Sequence, residues 1–154
     1  MTPLAKAMTI EDLIAEAAAL PLRDAAYAIW RQKITFERLE GRVWPRRDLS
    51  TPEARERAMQ ESMTRINSEH DFAQDGPTFD RLKRAHPQTA DRELKQAIVE
   101  AVKFDDDCFK YFSYGAEDFW EACIRAVGRA AQDHPPYVET TYRDARNWVA
   151  YCMK

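Results

Sequence analysis

The side chains able to do acid–base, metal or nucleophilic chemistry are few in this 154-residue sequence: three histidines (His70, His86, His134) and three cysteines (Cys108, Cys123, Cys152). Beside them stand one carboxylate run, Asp105-Asp106-Asp107, and one basic-aromatic run, Arg42-Val43-Trp44-Pro45-Arg46-Arg47. Each chemistry demands its own spacing, and the spacings exclude most of it. Finger-type zinc sites need Cys or His pairs close together, and the sequence has none. Helical di-iron centres need Glu-x-x-His on two helices, yet Asn67, Lys83 and Ala131 precede the histidines by three. Glycines at positions 41, 76, 115 and 128 alone build no phosphate loop, and no G-x-S-x-G elbow occurs.

Neighbouring dipeptides and triplets fare no better. His70-Asp71 is the dipeptide of HD-type metal phosphohydrolases, which also need an upstream histidine, and none precedes position 70. Successive helical residues point ~100° apart, so Asp105, Asp106 and Asp107 do not converge on one ion and are expected to form a solvated charge run. Each cysteine lies on or beside an apolar stripe and is expected to be a buried thiol. No catalytic residue, metal ligand or cofactor is therefore assigned.

Helical periodicity places these residues. Thr9 before Ile10-Glu11-Asp12 predicts a capped first helix ended by Pro21. A second runs from Leu22 to about Glu40, with Leu22, Ala26, Ile29, Trp30 and Phe36 inward and Gly41 as its stop. Ser50-Thr51-Pro52-Glu53 starts a third that reaches about Phe72, with Ala58, Met59, Met63 and Ile66 inward. Thr78 is expected to cap a short fourth helix that ends before His86-Pro87. A fifth spans Thr89 to about Phe112, and a sixth Ala116 to Gln132, turning Phe119, Trp120, Cys123, Ile124, Val127, Ala130 and Ala131 inward. A last one, from about Val138 to Cys152, turns Tyr142, Ala145, Trp148 and Val149 inward. No segment alternates apolar and polar residues with strand period. The expected fold is all-α: one compact bundle of six to seven helices with short connectors, occupying residues 1–154 as a single domain.

Two places break the pattern. Lys33, Glu37, His70 and Asp105 fall within or beside the inward arcs of their helices, where an unpaired charge costs several kcal/mol. Lys33 and Glu37, spaced i,i+4, can satisfy each other. Together the four also define a candidate polar pocket for acid–base chemistry or a small ligand. The second break is charge. From Arg31 to Arg57 eight basic and five acidic residues leave +3, and from Glu100 to Glu121 two basic and seven acidic residues leave −5. Arg42, Trp44, Arg46 and Arg47 form a candidate interface loop, since Arg and Trp are enriched at interface hot spots.

The net charge of −3 argues against indiscriminate nucleic-acid binding. No apolar run approaches the ~18 residues of a membrane span, and Met1 to Met8 carries no secretory pattern. Three unpaired-looking cysteines fit a reducing, cytoplasmic setting. The first expectation is a helical interaction or accessory protein that binds a protein partner or itself. The alternatives are an enzyme or ligand binder using the polar pocket, and a nucleic-acid module using the Arg42–Arg47 loop. If the acidic segment meets the basic segment of a second copy, light scattering will report a mass that falls with added salt; equal masses at low and high salt would remove that dimer.

Overall fold

In the computed structural model, which describes residues 7–42, 48–61, 76–115 and 117–154, the chain forms eight helical segments. In order they are α1 (Ile10–Ala18), α2 (Leu22–Arg31), α3 (Lys33–Leu39), α4 over 52–61, α5 (Pro77–Ala85), α6 (Asp91–Lys110), α7 (Phe119–Gln132) and α8 (Glu139–Met153). No strand occurs among the described residues. Among the described residues the fold is the expected all-α bundle, with eight helices rather than six or seven. The extra one arises at Gln32, whose φ of −97° and ψ of 15° interrupt the expected Leu22–Glu40 helix. Residues on both sides of Gln32 still bury the same face, so the periodicity carries no mark of the break.

Local chemistry accounts for the ends. Thr9 and Asp12 make a reciprocal capping box on α1. Gly41, at φ +84°, closes α3: its N–H reaches Arg38 O at 3.1 Å and the Arg42 N–H reaches Glu37 O at 2.9 Å, a Schellman arrangement. Three starts differ from expectation. Thr51, not Ser50, caps α4, its hydroxyl accepting from Ala54 N at 3.1 Å, because Ser50 is turned onto Asp48 at 2.6 Å. Gly76 caps α5 with Pro77 as its first residue, and Thr78 lies buried inside the helix. Asp118 starts α7, accepting from Trp120 N at 2.7 Å, so the helix begins after Ala116. The expected course of the third helix beyond residue 61, with Met63 and Ile66, lies outside the described residues. Within α4 the buried residue is Ala54, and Met59, expected inward, is exposed.

Helix α2 and the long α6 pack against each other as the spine. Helices α1 and α5 close over one part of it, and α7 and α8 over the other. One continuous cluster of buried side chains, from Leu13 to Val149, joins them. Much of it is alanine: Ala25, Ala26, Ala97, Ala101, Ala122, Ala126, Ala130 and Ala145 all lie below the surface. Small side chains at these points bring helix axes close. Larger ones, notably Tyr27, Phe104, Tyr137 and Tyr142, fill the space where α2, α6 and α8 meet, with ring centroids 4.9 to 6.3 Å apart.

The burial pattern corrects four inward assignments. Trp120 and Ile124 are each 43% exposed, whereas Ala122 and Ala126 are buried in their place. Alanine adds little to a hydrophobic stripe, but it lets neighbouring helices approach, so the buried arc of α7 is rotated toward the alanine side. On α8 the buried residues are Thr141, Ala145 and Val149, with Trp148 only partly covered. Cys152, expected in the core, is exposed, while Cys108 and Cys123 are buried.

Asp24 is a buried carboxylate, 3% exposed, in the first turn of α2. It accepts the Val138 N–H at 2.8 Å and the Thr141 hydroxyl at 2.7 Å. It thereby caps α8 from another helix and sets a negative charge at that helix's N-terminus. Asp24→Ala is expected to destabilise the fold by about 2–3 kcal/mol, read by urea denaturation. A loss below about 0.5 kcal/mol, the range of an ordinary surface change, would show that α8 does not need this cap.

Candidate functional site

Of the four residues proposed for a polar pocket, three lie among the described residues. Lys33 and Glu37 both sit on α3, with Lys33 Nζ 3.5 Å from the Trp30 ring centroid and Glu37 accepting from Arg42 at 3.3 Å. Glu37 is 7% exposed, so Arg42 closes over a buried carboxylate. Asp105 is in the middle of α6, where its charge acts on Tyr27, Cys108 and Cys152. It belongs to the region of α2 and α8, while α3 packs chiefly on α2. His70 lies outside the described residues, as do Trp44, Arg46 and Arg47 of the interface loop. Arg42, the remaining loop residue, is exposed.

The structure does assemble a carboxylate–imidazole pair, from residues that the sequence reading did not join. His134 Nε2 lies 2.7 Å from Asp107 Oδ2, and the imidazole meets the Phe104 ring edge-on at 5.6 Å. One turn along α6, Tyr111 donates to Asp133 at 2.6 Å, and Arg129 donates to the other oxygen of that carboxylate at 3.0 Å. The Tyr111 hydroxyl, then Arg129, hold the Asp133 carboxyl below its usual range. The same hydrogen bond raises the Tyr111 phenol. Asp107 came from a run read as solvated. Consecutive carboxylates diverge around the helix, and that divergence is what aims one of the three at His134.

Both contacts hold the α7–α8 connector, and Arg23 holds it from the other side. Its Nε donates to Glu100 at 2.8 Å and its Nη1 to the carbonyls of Pro135 and Pro136 at 3.0 Å each. Its guanidinium lies 4.1 Å from the Tyr137 ring centroid. These contacts brace the bundle and leave Arg23 Nη2 buried without a hydrogen-bond partner among the described residues. The cysteines offer no activated thiol. Burial, then the Asp105 and Asp107 charges, push Cys108 up, and burial raises Cys123 and Cys152 as well.

The surface feature with no such role is the flank of α7. Trp120 and Ile124 stand one turn apart on it, beside the buried arc of Cys123 and Val127. Gly128, a further turn along, has nothing within 4 Å of where a Cβ would stand. Asp118 and Glu121 lie at the Trp120 end, and Glu117 pairs with Arg125 at 2.6 Å. The flank is thus apolar, open and bordered mainly by carboxylates. No helix among the described residues is long and apolar enough to cross a membrane. Compared with known proteins, the chain matches no family model, no curated protein and no solved structure.

Glu100 yields a test of the connector clamp. Burial alone would raise its carboxyl; hydrogen bonds from Arg23 and Gln96, and the Arg23 charge, outweigh that and hold it below the usual range. A carboxyl depressed in the fold contributes stability above its unfolded pKa, ~4.3, and that stability is lost as pH falls through the folded value. The melting temperature of the protein is expected to drop below about pH 4.3, and Glu100→Gln to show a smaller drop over the same interval. Equal drops would remove Glu100 from the acid response.

Proposed function

We propose that this protein is a helical interaction module that binds a partner protein through the open flank of α7. The observation that carries the reading is the pair Trp120 and Ile124, each 43% exposed and adjacent on one helix face. Two large apolar side chains beside an already buried arc are the kind of surface that gains most from being covered, and tryptophan is a frequent hot-spot residue. Gly128 allows a second helix to come close one turn further on. The local charge narrows the partner. Asp118 and Glu121 border the flank, within a Glu100–Glu121 segment that carries −5 (two basic, seven acidic). The complementary ligand is an amphipathic helix with an apolar stripe and basic edges.

A photo-crosslinking amino acid placed at Glu121 of the tagged protein, in its source cell, tests the reading. A discrete adduct is expected, with a partner whose crosslinked segment is basic and amphipathic. Trp120→Ala is expected to weaken that association by about 2 kcal/mol, roughly thirtyfold, and Ile124→Glu to abolish it, with melting temperatures close to wild type for both. Adduct yields unchanged in both variants would overturn the reading. An adduct with a second copy of this chain, or with an acidic segment, would overturn the partner class.

A further inference from the structure

Gly128 is the residue of α7 that the fold itself does not require. It lies in the third turn of a fourteen-residue helix. Its backbone is ordinary, since the positive φ among the described glycines is that of Gly41. A Cβ added at Gly128 meets no atom within 4 Å among the described residues, so no packed neighbour keeps the position bare. Glycine is the least favourable helix residue after proline, because it has the most backbone freedom to lose on folding. Alanine in its place would strengthen α7 at no steric cost. A glycine set inside a helix, with no turn, dihedral angle or contact within the chain to require it, serves the approach of something outside the chain. Helix axes lie ~8–10 Å apart according to the side chains between them, and glycine at a crossing gives the lower end of that range.

Charge along the flank has a direction. At the Trp120 end stand Glu117, Asp118 and Glu121, all exposed. Glu117 pairs with Arg125 at 2.6 Å, and Asp118 caps the helix. Glu121 makes no ion pair among the described residues. Beyond Gly128, Arg129 and Asp133 neutralise each other at 3.0 Å. The flank thus runs from acidic at its start to neutral at its end. A helix laid on it gains most by placing its basic residues beside Asp118 and Glu121. Basic residues also favour the last turn of their own helix, where they meet the negative end of its dipole. Both preferences are met at once when the C-terminus of the partner helix lies over the start of α7.

We propose that the partner helix runs antiparallel to α7, crosses it at Gly128 and carries its basic residues in its C-terminal turns. The inference rests on the reading of the α7 flank as a partner site, and adds the direction and the point of closest approach. Read from its N-terminus, the partner presents an apolar residue to Gly128 first. Its basic residues follow about eight positions later, opposite Trp120 and Glu121, since Gly128 and Trp120 stand ~12 Å apart along α7.

The test places the photo-crosslinking amino acid at Gln132 as well as at Glu121, one at a time, in the full-length protein in its source cell. Both residues are exposed, and they share one edge of α7, eleven residues and ~16 Å apart. The Gln132 adduct is expected to map N-terminal to the Glu121 adduct on the partner, by about eleven positions. Gly128→Leu is expected to cut the adduct yield about tenfold or more at both positions, and Gly128→Ala to cut it less. Both variants are expected to melt about 2–4 °C above wild type, which separates a lost approach from a lost fold. A Gln132 adduct that maps C-terminal to the Glu121 adduct would overturn the direction. Unchanged yields in Gly128→Leu would overturn the crossing point. Either result leaves the α7 flank as a partner site, whereas absence of adducts from both positions would overturn that reading and this inference with it.

Discussion

The bundle depends on how two adjacent residues of α2, Arg23 and Asp24, grip the connector between α7 and α8. Asp24 accepts the N–H of Val138, the residue just before α8, and the Thr141 hydroxyl. Arg23 spans from Glu100 on α6 to the carbonyls of Pro135 and Pro136. Prolines at these positions have no N–H to offer, so the connector is held through its carbonyls and through its ends. His134 and Asp133 fix its first residues to α6 through Asp107 and Tyr111. A polar segment that would otherwise lie loosely over an aromatic cluster becomes the place where three helices are held in register.

The position of α8 follows from that grip. With its N-terminus anchored at Asp24, α8 packs chiefly along α7 and also touches α6 and α2. Its Asp144, Asn147 and Trp148 then face Tyr27, Arg31 and Gln32 across a groove. On its other neighbour, the alanines of α7 turn inward toward α6 and α8, which leaves Trp120 and Ile124 at the edge of the packed arc. An arrangement that favours close helix approach at small residues has displaced two large residues to the outside. Covering apolar surface of this kind is worth about 25 cal/mol per Å² removed from water.

Much of the chemistry-bearing inventory serves the fold. Asp107, Asp133, His134, Tyr111 and Arg129 read as a reactive cluster by type alone, yet every one of them is joined to another in bracing the connector. Glu37 and Arg42 close the end of α3 in the same way. Arg23 Nη2 and the Tyr137 hydroxyl, in the same braced region, are buried without a hydrogen-bond partner among the described residues.

Helix positions were legible in the sequence because their signals are local. The 3.6-residue recurrence of apolar side chains, the Thr9–Asp12 capping box and the Gly41 stop all act within a turn or two of their own position. The Gln32 break and the true inward face of α7 were not legible. The first leaves the periodicity intact, and the second depends on which neighbours approach and on how closely alanine lets them come. The Asp107–His134 pair and the Arg23 and Asp24 grip were out of reach for one reason: their members lie 27 to 117 residues apart. The sequence by itself determined that the chain is a set of amphipathic helices with a shared interior. Only the tertiary structure decided which polar side chains meet, because the angle and depth at which helices cross are set by packing summed over the whole core and not by any residue's nearest neighbours in the chain.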